Sequence, residues 1–232
     1  VIPFASFIRF SNINNHYLND HINTPDKLIS KVGNEKFDLL FLKPNEEQDI
    51  NNLKQNNESI EFWREQFNNL NDKKLIIYDK MSSIDELNNA YQKYRNRIFK
   101  KNSYYLMYIL SKIPALGAFK KIIIKINDFK KNIECDLFAE NLLLTNAAYD
   151  VSMDSKSLDF IFNNSFGFDT LTVNGCFEEG KSGGFIKMTK TFAIENLNNL
   201  GVPFNLSILF RIDVILMFFK LLIKVISKLR SS

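Results

Sequence analysis

The sequence predicts an α+β protein, and three observations carry that prediction. Apolar residues recur at helical spacing in the first half, as at Ile60, Trp63, Phe67 and Leu70. After Gly117 the pattern changes to β-branched runs, Phe119–Asn127 and Asn132–Phe138, joined by Asp128-Phe129-Lys130-Lys131 as a hairpin would be. Strand-like and helix-like stretches then alternate and close on a long amphipathic segment. The expected layout is a β/α segment over residues 1–115, a boundary near 114–118, and an α+β sheet-and-helix domain over 118–232 that ends in an amphipathic helix.

The elements follow in chain order. Ile2 to Phe10 alternates and is rich in Phe and Ile, which predicts a strand. The polar Ser11–Asn23 stretch predicts a loop. Thr24 as N-cap, Pro25 at the first helical position and Asp26 then predict a helix that stops at Gly33. Phe37–Leu42 reads as a short buried strand ending at the turn Lys43-Pro44-Asn45. An acidic, Asn-rich loop leads to a helix from about Ser59 to Leu70. Ser82/Ser83 with Glu86 form a capping box for a helix running to about Lys101, and a more apolar helix covers Tyr104–Ile113, closed by Pro114 and Gly117. Beyond the hairpin, Tyr149–Met153 is a third strand and Ser155 starts a helix ending near Asn164. Thr170–Phe177 is a fourth strand by alternation. Helices cover Ile186–Leu200 and Asn205–Leu229.

Composition narrows the class. The 232 residues are 45% hydrophobic and 24% charged, with 22 Phe, which is enough apolar material for a real core. Two Cys give no disulfide scaffold. The 29 Asn are spread among Lys and Ile, a base-composition bias and not a prion-like tract. No charged segment precedes Val1, so the opening is not a signal peptide; a start in strand-like material predicts a piece of a longer protein, with a cytoplasmic setting expected. Net charge is +4, and Leu206–Ser232, with five bases and Asp213 as the one acid, accounts for all of it. Nucleic acid is not the expected partner.

Several constellations admit both a functional and a structural reading. His16 and His21, the only histidines, form His-x-x-x-Asp-His with Asp20; imidazole and carboxylate suit zinc or another divalent metal, while a hydrogen-bonded polar loop is the plainer reading. Cys135 and Cys176 fall in strands with no His nearby, so neither reads as a nucleophile. Gly180-Lys181-Ser182-Gly183-Gly184 lacks the order of a phosphate loop; its glycines fit a flexible connection, or a close approach by a ligand or another backbone. Lys93, Arg95, Arg97, Lys100 and Lys101 followed by Tyr104, Tyr105 and Tyr108 would suit nucleic acid or anionic lipid, but a solvated helix is the favoured reading.

The tail pattern is sharper. At helical spacing Asp213, Lys220, Lys224, Ser227 and Lys228 share a narrow arc, opposite a wide face of Leu209, Ile212, Leu216, Phe219, Ile223 and Ile226. Only six uncharged residues separate Asp213 from Lys220, too few to span a bilayer. Two readings stand: a helix packed on its domain, or a peripheral membrane contact with Lys220, Lys224 and Lys228 towards lipid phosphates.

Two stretches resemble known families. Pro3-Phe4-Ala5-Ser6-Phe7 with Phe10-Ser11, Asn15, Tyr17, Asn19 and Asp20 is similar to the last part of metallo-β-lactamase-fold hydrolases of the lactonase-like and sialic-acid-hydroxylase-like branches. That resemblance implies a partial αββα-type segment, a hydrolase, and zinc or another divalent metal in the parent protein. The family's His-x-His-x-Asp-His signature is absent here, so the main metal site would lie in a missing N-terminal portion, with His16, Asp20 or His21 as the only contributors from this chain. The second stretch, Asp150–Phe162 continuing through Gly167–Phe177 after the hairpin, resembles a sterol-carrier-protein-like domain. It implies an apolar tunnel for acyl chains or sterols, lined by Phe160, Phe162, Phe166, Phe168 and Phe177; ordinary core is the alternative for those rings. The leading expectation is the C-terminal portion of a metal-dependent hydrolase, inactive by itself, whose metal would activate water against a carbonyl of a small-molecule or lipid substrate. The alternative is a non-enzymatic lipid-binding or membrane-peripheral module, and a purely structural interaction domain is a third.

Overall fold

The computed structural model describes residues 1–3, 8–32, 38–70, 72–77, 80–114 and 116–210, with only the backbone at 209–210. The α+β class holds: helices accompany one five-stranded mixed sheet. The chain divides into two compact units, Val1–Ile77 and Tyr78–Ser232, so the boundary lies well before 114–118. The reason is packing. The helix expected to close the first segment buries Leu87, Ala90, Tyr91, Tyr94 and Ile98 in the core that the sheet shares.

The first unit holds a 3-10 turn (His16–His21), α1 (Pro25–Val32) and α2 (Asn57–Asn68). Thr24 and Pro25 start α1 as expected, with the Thr24 hydroxyl accepting from Lys27 N–H at 3.3 Å. Arg64 of α2 reaches Asp26 of α1 through Nε at 3.0 Å and Nη2 at 2.6 Å. Among the described residues this unit has no strand, only an isolated bridge between Asn12 and Ile76. Alternation at 2–10 and 37–42 marked extended chain, but a strand also needs a partner's hydrogen bonds. Ile2 and Ile8 are exposed, and Leu40 and Phe41 are buried without joining a ladder: Leu40 N–H donates to Val1 O (2.9 Å) and Phe41 N–H to Gln55 Oε1 (2.9 Å).

The second unit opens with α3 (Ile84–Lys101). Its capping box is complete: Glu86 N–H donates to Ser83 Oγ (3.2 Å) and Ser83 N–H to Glu86 Oε2 (2.7 Å). After Asn102-Ser103 comes α4 (Tyr104–Ser111). The expected hairpin is β1 (Ile122–Ile126) and β2 (Lys131–Cys135), antiparallel with Ile124 opposite Ile133. A short β3 (Leu143–Thr145), unforeseen, extends it. The chain then crosses to β4 (Val151–Met153), which lies parallel to β1 on the far side. After α5 (Ser155–Asn163) and α6 (Gly167–Asn174), β5 (Glu178–Glu179) closes the order β3-β2-β1-β4-β5. Then come α7 (Gly184–Phe192) and α8 (Ile194–Asn199), split at Ala193 where one helix was expected. Tail residues 211–232 lie outside the described residues; the chain before them makes a 3-10 turn, Leu206–Phe210.

The fourth expected strand, Thr170–Phe177, is a correction: it is mostly α6. Alternation placed Leu171 and Val173 on one face, but burial follows helical spacing, with Phe168 and Leu171 inside and Val173 exposed. Gly167 permits the tight entry, since a Cβ there would stand 2.5 Å from Phe160 O, and Gly175 ends the helix in the left-handed region at φ 65°.

Ser155 links three elements. Its N–H donates to Asp128 Oδ1 of the hairpin turn (3.0 Å), its hydroxyl donates to Asp128 Oδ2, and its Oγ accepts from Ser82 N–H ahead of α3 (2.9 Å). Removing the α3 cap should be a local test of this unit. Ser83→Ala is expected to cost about 1 kcal/mol, read as a lower urea midpoint at unchanged m-value.

Candidate functional site

His16, Asp20 and His21 sit together in the 3-10 turn, all exposed. His16 Nδ1 donates to Ile13 O at 2.8 Å, a bond that closes the local turn. Among the described residues no three His, Cys, Asp or Glu side chains are placed to hold a metal ion. By themselves, among the described residues, they do not complete a ligand set for the divalent ion that the hydrolase resemblance implies.

The five candidate tunnel phenylalanines do not share one surface. Phe162 and Phe168 are core, and both meet Phe192, with ring centroids at 6.2 and 6.1 Å. Phe177 packs at the core margin and stacks on Phe185 at 5.5 Å. Phe160 and Phe166 are exposed. Cys135 and Cys176 are buried free thiols, and burial pushes both above the ordinary thiol range, which keeps them protonated at neutral pH.

The interior between the sheet and the helices is built of Ile122, Ile124, Ile126 and Ile133 on one side and Tyr91, Tyr94, Leu158, Phe162 and Phe192 on the other. Tyr94 meets Phe162 at 5.5 Å and Phe192 at 6.0 Å. The Tyr91 hydroxyl donates to Asp136 O. The Tyr94 hydroxyl, completely buried, has no hydrogen-bond partner among the described residues, and the same is true of Ser157 Oγ. Burial drives the Tyr94 phenol far above its ordinary value, so it stays a neutral donor.

The Gly180–Gly184 segment is the expected strand-to-helix connection, joining β5 to α7, and its glycines also admit a close backbone approach. A Cβ on Gly184 would stand 2.0 Å from Asp150 O, and one on Gly180 would stand 2.2 Å from the Tyr149 ring. The approach brings Lys181 and Lys187 to the fully buried Asp150 carboxylate: Lys181 Nζ lies 2.8 Å from Oδ1 and Lys187 Nζ 2.7 Å from Oδ2. Asp150 also exchanges bonds with Ile123, accepting from its N–H on Oδ2 and donating to its O, both at 2.8 Å. Burial pushes this carboxyl up, but the Ile123 N–H and the two lysines outweigh it and hold the group below the usual carboxylate range.

A second cluster lies on α4. Tyr104 and Tyr108 are parallel at 6.1 Å, Phe138 meets both edge-on at 5.5 and 5.3 Å, and Phe99 and Tyr105 join Tyr104 at 5.0 and 5.7 Å. Cations sit on two of these rings, Lys112 over Tyr108 at 4.5 Å and Arg95 over Phe99 at 5.4 Å. The basic run before it divides by role. Arg97 pairs with buried Glu195, and Arg95 Nε donates to Leu137 O at 2.8 Å.

Lys220, Lys224 and Lys228, the expected membrane contacts, lie outside the described residues. Among the described residues no helix is long and apolar enough to cross a membrane. Comparison with protein-family models, curated proteins and solved structures finds no match.

The glycines and Lys181 of 180–184 stand out in the sequence, but Asp150 does not, because its signal, a lone acid ahead of a strand, is common. Asp150→Asn should cost about 2–3 kcal/mol, below the range for wholly buried pairs because both lysines can turn to water. A carboxyl depressed in the folded state contributes stability above its unfolded value near pH 4, and that contribution is lost as pH falls through the folded value. The urea midpoint of the parent chain should therefore fall in acid more steeply than that of Asp150→Asn.

Proposed function

We propose that Tyr78–Ser232 is a non-enzymatic, sterol-carrier-like lipid-binding module. Support comes from a sheet and helices around an apolar interior, the general layout that the sterol-carrier resemblance implies. The observation that carries the reading is the unpartnered hydroxyl of Tyr94 in that interior. A buried hydroxyl without a partner costs about 1–3 kcal/mol, and an amphipathic lipid with one small polar head, a sterol or a fatty acid, would supply the missing partner. The interior is filled by its own side chains, so entry requires α5 and α6 to part from α3; exposed Phe160 and Phe166 at the α5–α6 turn offer an apolar approach. The parent-hydrolase reading would need zinc or another divalent metal, for which His16, Asp20 and His21 form no ligand set, and no step is derived through a metal.

Titration with a fluorescent sterol or fatty-acid analogue tests the module. Saturable binding is expected, weakened about two- to tenfold in Tyr94→Phe, the value of one hydrogen bond. The unliganded variant should be no less stable than the parent. Absence of saturable uptake, or equal affinity in the variant, overturns the reading.

A further inference from the structure

The α4 surface is unusual for a helix facing water. Seven consecutive residues, Tyr104 to Leu110, are apolar or aromatic, yet only Met107 and Ser111 of the helix are buried. At 100° per residue, Tyr104, Tyr105, Tyr108, Ile109, Lys112 and Ile113 fall within one half of the helix surface, and all six are exposed, Tyr105 at 77% and Ile109 at 59%. Leu110 packs towards the core on the opposite side. The helix therefore has two apolar sides, of which the described residues of its domain cover one. A contiguous exposed apolar patch rimmed by polar groups marks a contact surface.

Charge identifies what covers it. Residues 87–127 contain nine Lys or Arg and no Asp or Glu, a local excess that the near-neutral total of residues 1–205 concealed. Arg97 and Lys121 are taken up by Glu195 and Glu134, and Lys120 donates to Ser111 O. Lys100 and Lys101 in the last turn of α3, and Lys112 just past α4, make no ion pair with any described residue. Ammonium groups without an ion pair among the described residues thus bracket the aromatic face at both ends, Lys112 lying over the Tyr108 ring. Tyrosine rings with an apolar body and a polar tip, flanked by lysines, match the headgroup level of a bilayer, where rings sit among the glycerol groups and lysines meet phosphates.

We propose that this face of α4 docks the module on anionic phospholipid membranes, with Tyr105 and Ile109 entering the interface and Lys100, Lys101 and Lys112 holding lipid phosphates. The assignment builds on the lipid-binding reading, adding the surface from which a lipid would be exchanged, and it places membrane contact on a folded helix of the domain instead of on Lys220, Lys224 and Lys228 of the tail. A folded stretch of basic and aromatic side chains also suits single-stranded nucleic acid. The lipid surface is favoured because the aliphatic Ile109 and Ile113 share the face, and they offer nothing for a base to stack on.

The test is flotation of the full chain with phosphatidylcholine vesicles, with and without phosphatidylserine. Binding is expected only with phosphatidylserine and is expected to weaken as salt is raised. Lys100→Gln/Lys101→Gln/Lys112→Gln should lower the affinity on the order of a hundredfold at low salt. Tyr105→Ser/Ile109→Ser, confined to exposed side chains, should lower it at least about tenfold while leaving the charge intact. Far-UV circular dichroism should be unchanged in both. No flotation at low salt overturns the proposal, as does flotation that both sets leave intact and Lys220→Gln/Lys224→Gln/Lys228→Gln abolishes. Tighter binding to a single-stranded homopolymer than to vesicles, lost in the same two sets, also overturns it. The two readings separate cleanly: if the fluorescent lipid still binds with its Tyr94 dependence while vesicles do not float, docking fails and the lipid module stands.

Discussion

One face of α3 sets the arrangement of the second unit. Leu87, Tyr91, Tyr94 and Ile98 are completely buried, and each large side chain withdrawn from water contributes about 1.5–3 kcal/mol. The same helix fixes what lies around it through polar contacts at its edges. Tyr91 holds the chain after β2 through Asp136 O, Arg95 holds Leu137 O, and Arg97 reaches both Phe162 O (3.0 Å) on α5 and Glu195 on α8. Just beyond the helix, Asn102 and Asn198 exchange amide hydrogen bonds at 2.7 and 2.8 Å, and Asn102 Oδ1 also accepts from Phe204 N–H at 2.7 Å. Each of these donors would be stranded without its partner, so the helix specifies neighbours as well as burying area.

The opposite side of the unit is held differently. There, Asp150 draws the 180–184 segment and α7 onto the sheet, and the glycines remove the side chains that would keep the backbones apart. The α5–α6 turn carries the exposed rings of Phe160 and Phe166, while α5 itself is held to α3 by Arg97 and buries Leu158, Ile161 and Phe162 in the core. The α4 surface adjoins the α3 side, because Phe138 and Phe99 connect its tyrosines to the chain that α3 holds.

Local chemistry was legible wherever it decided the structure. The Ser83–Glu86 capping box, the Thr24-Pro25 start of α1, the hairpin around Asp128 and the Ser155 start of α5 all emerged where the residues placed them. Alternation misled in two directions. In the described parts of 2–10 and 37–42 it marked extended chain that finds no sheet, and in Thr170–Phe177 it masked a helix whose burial follows Phe168 and Leu171. Period alone cannot report whether a partner strand exists or which face another helix will cover. Of the candidate site residues, the tunnel phenylalanines were correctly seen as apolar but scattered between core and surface, and the histidine pair was brought to no ligand cluster among the described residues.

The sequence by itself determined the α+β class, most helix starts, the hairpin and the need for an aromatic core, because each depends on neighbours a few residues apart. Only the tertiary structure decided that the domain begins at Tyr78, that Asp150 gathers two lysines from about thirty residues away, and that Tyr94 is enclosed without a partner while Tyr105 is left in water. Those outcomes depend on which faces meet, and burial is a property of the meeting and not of either face alone.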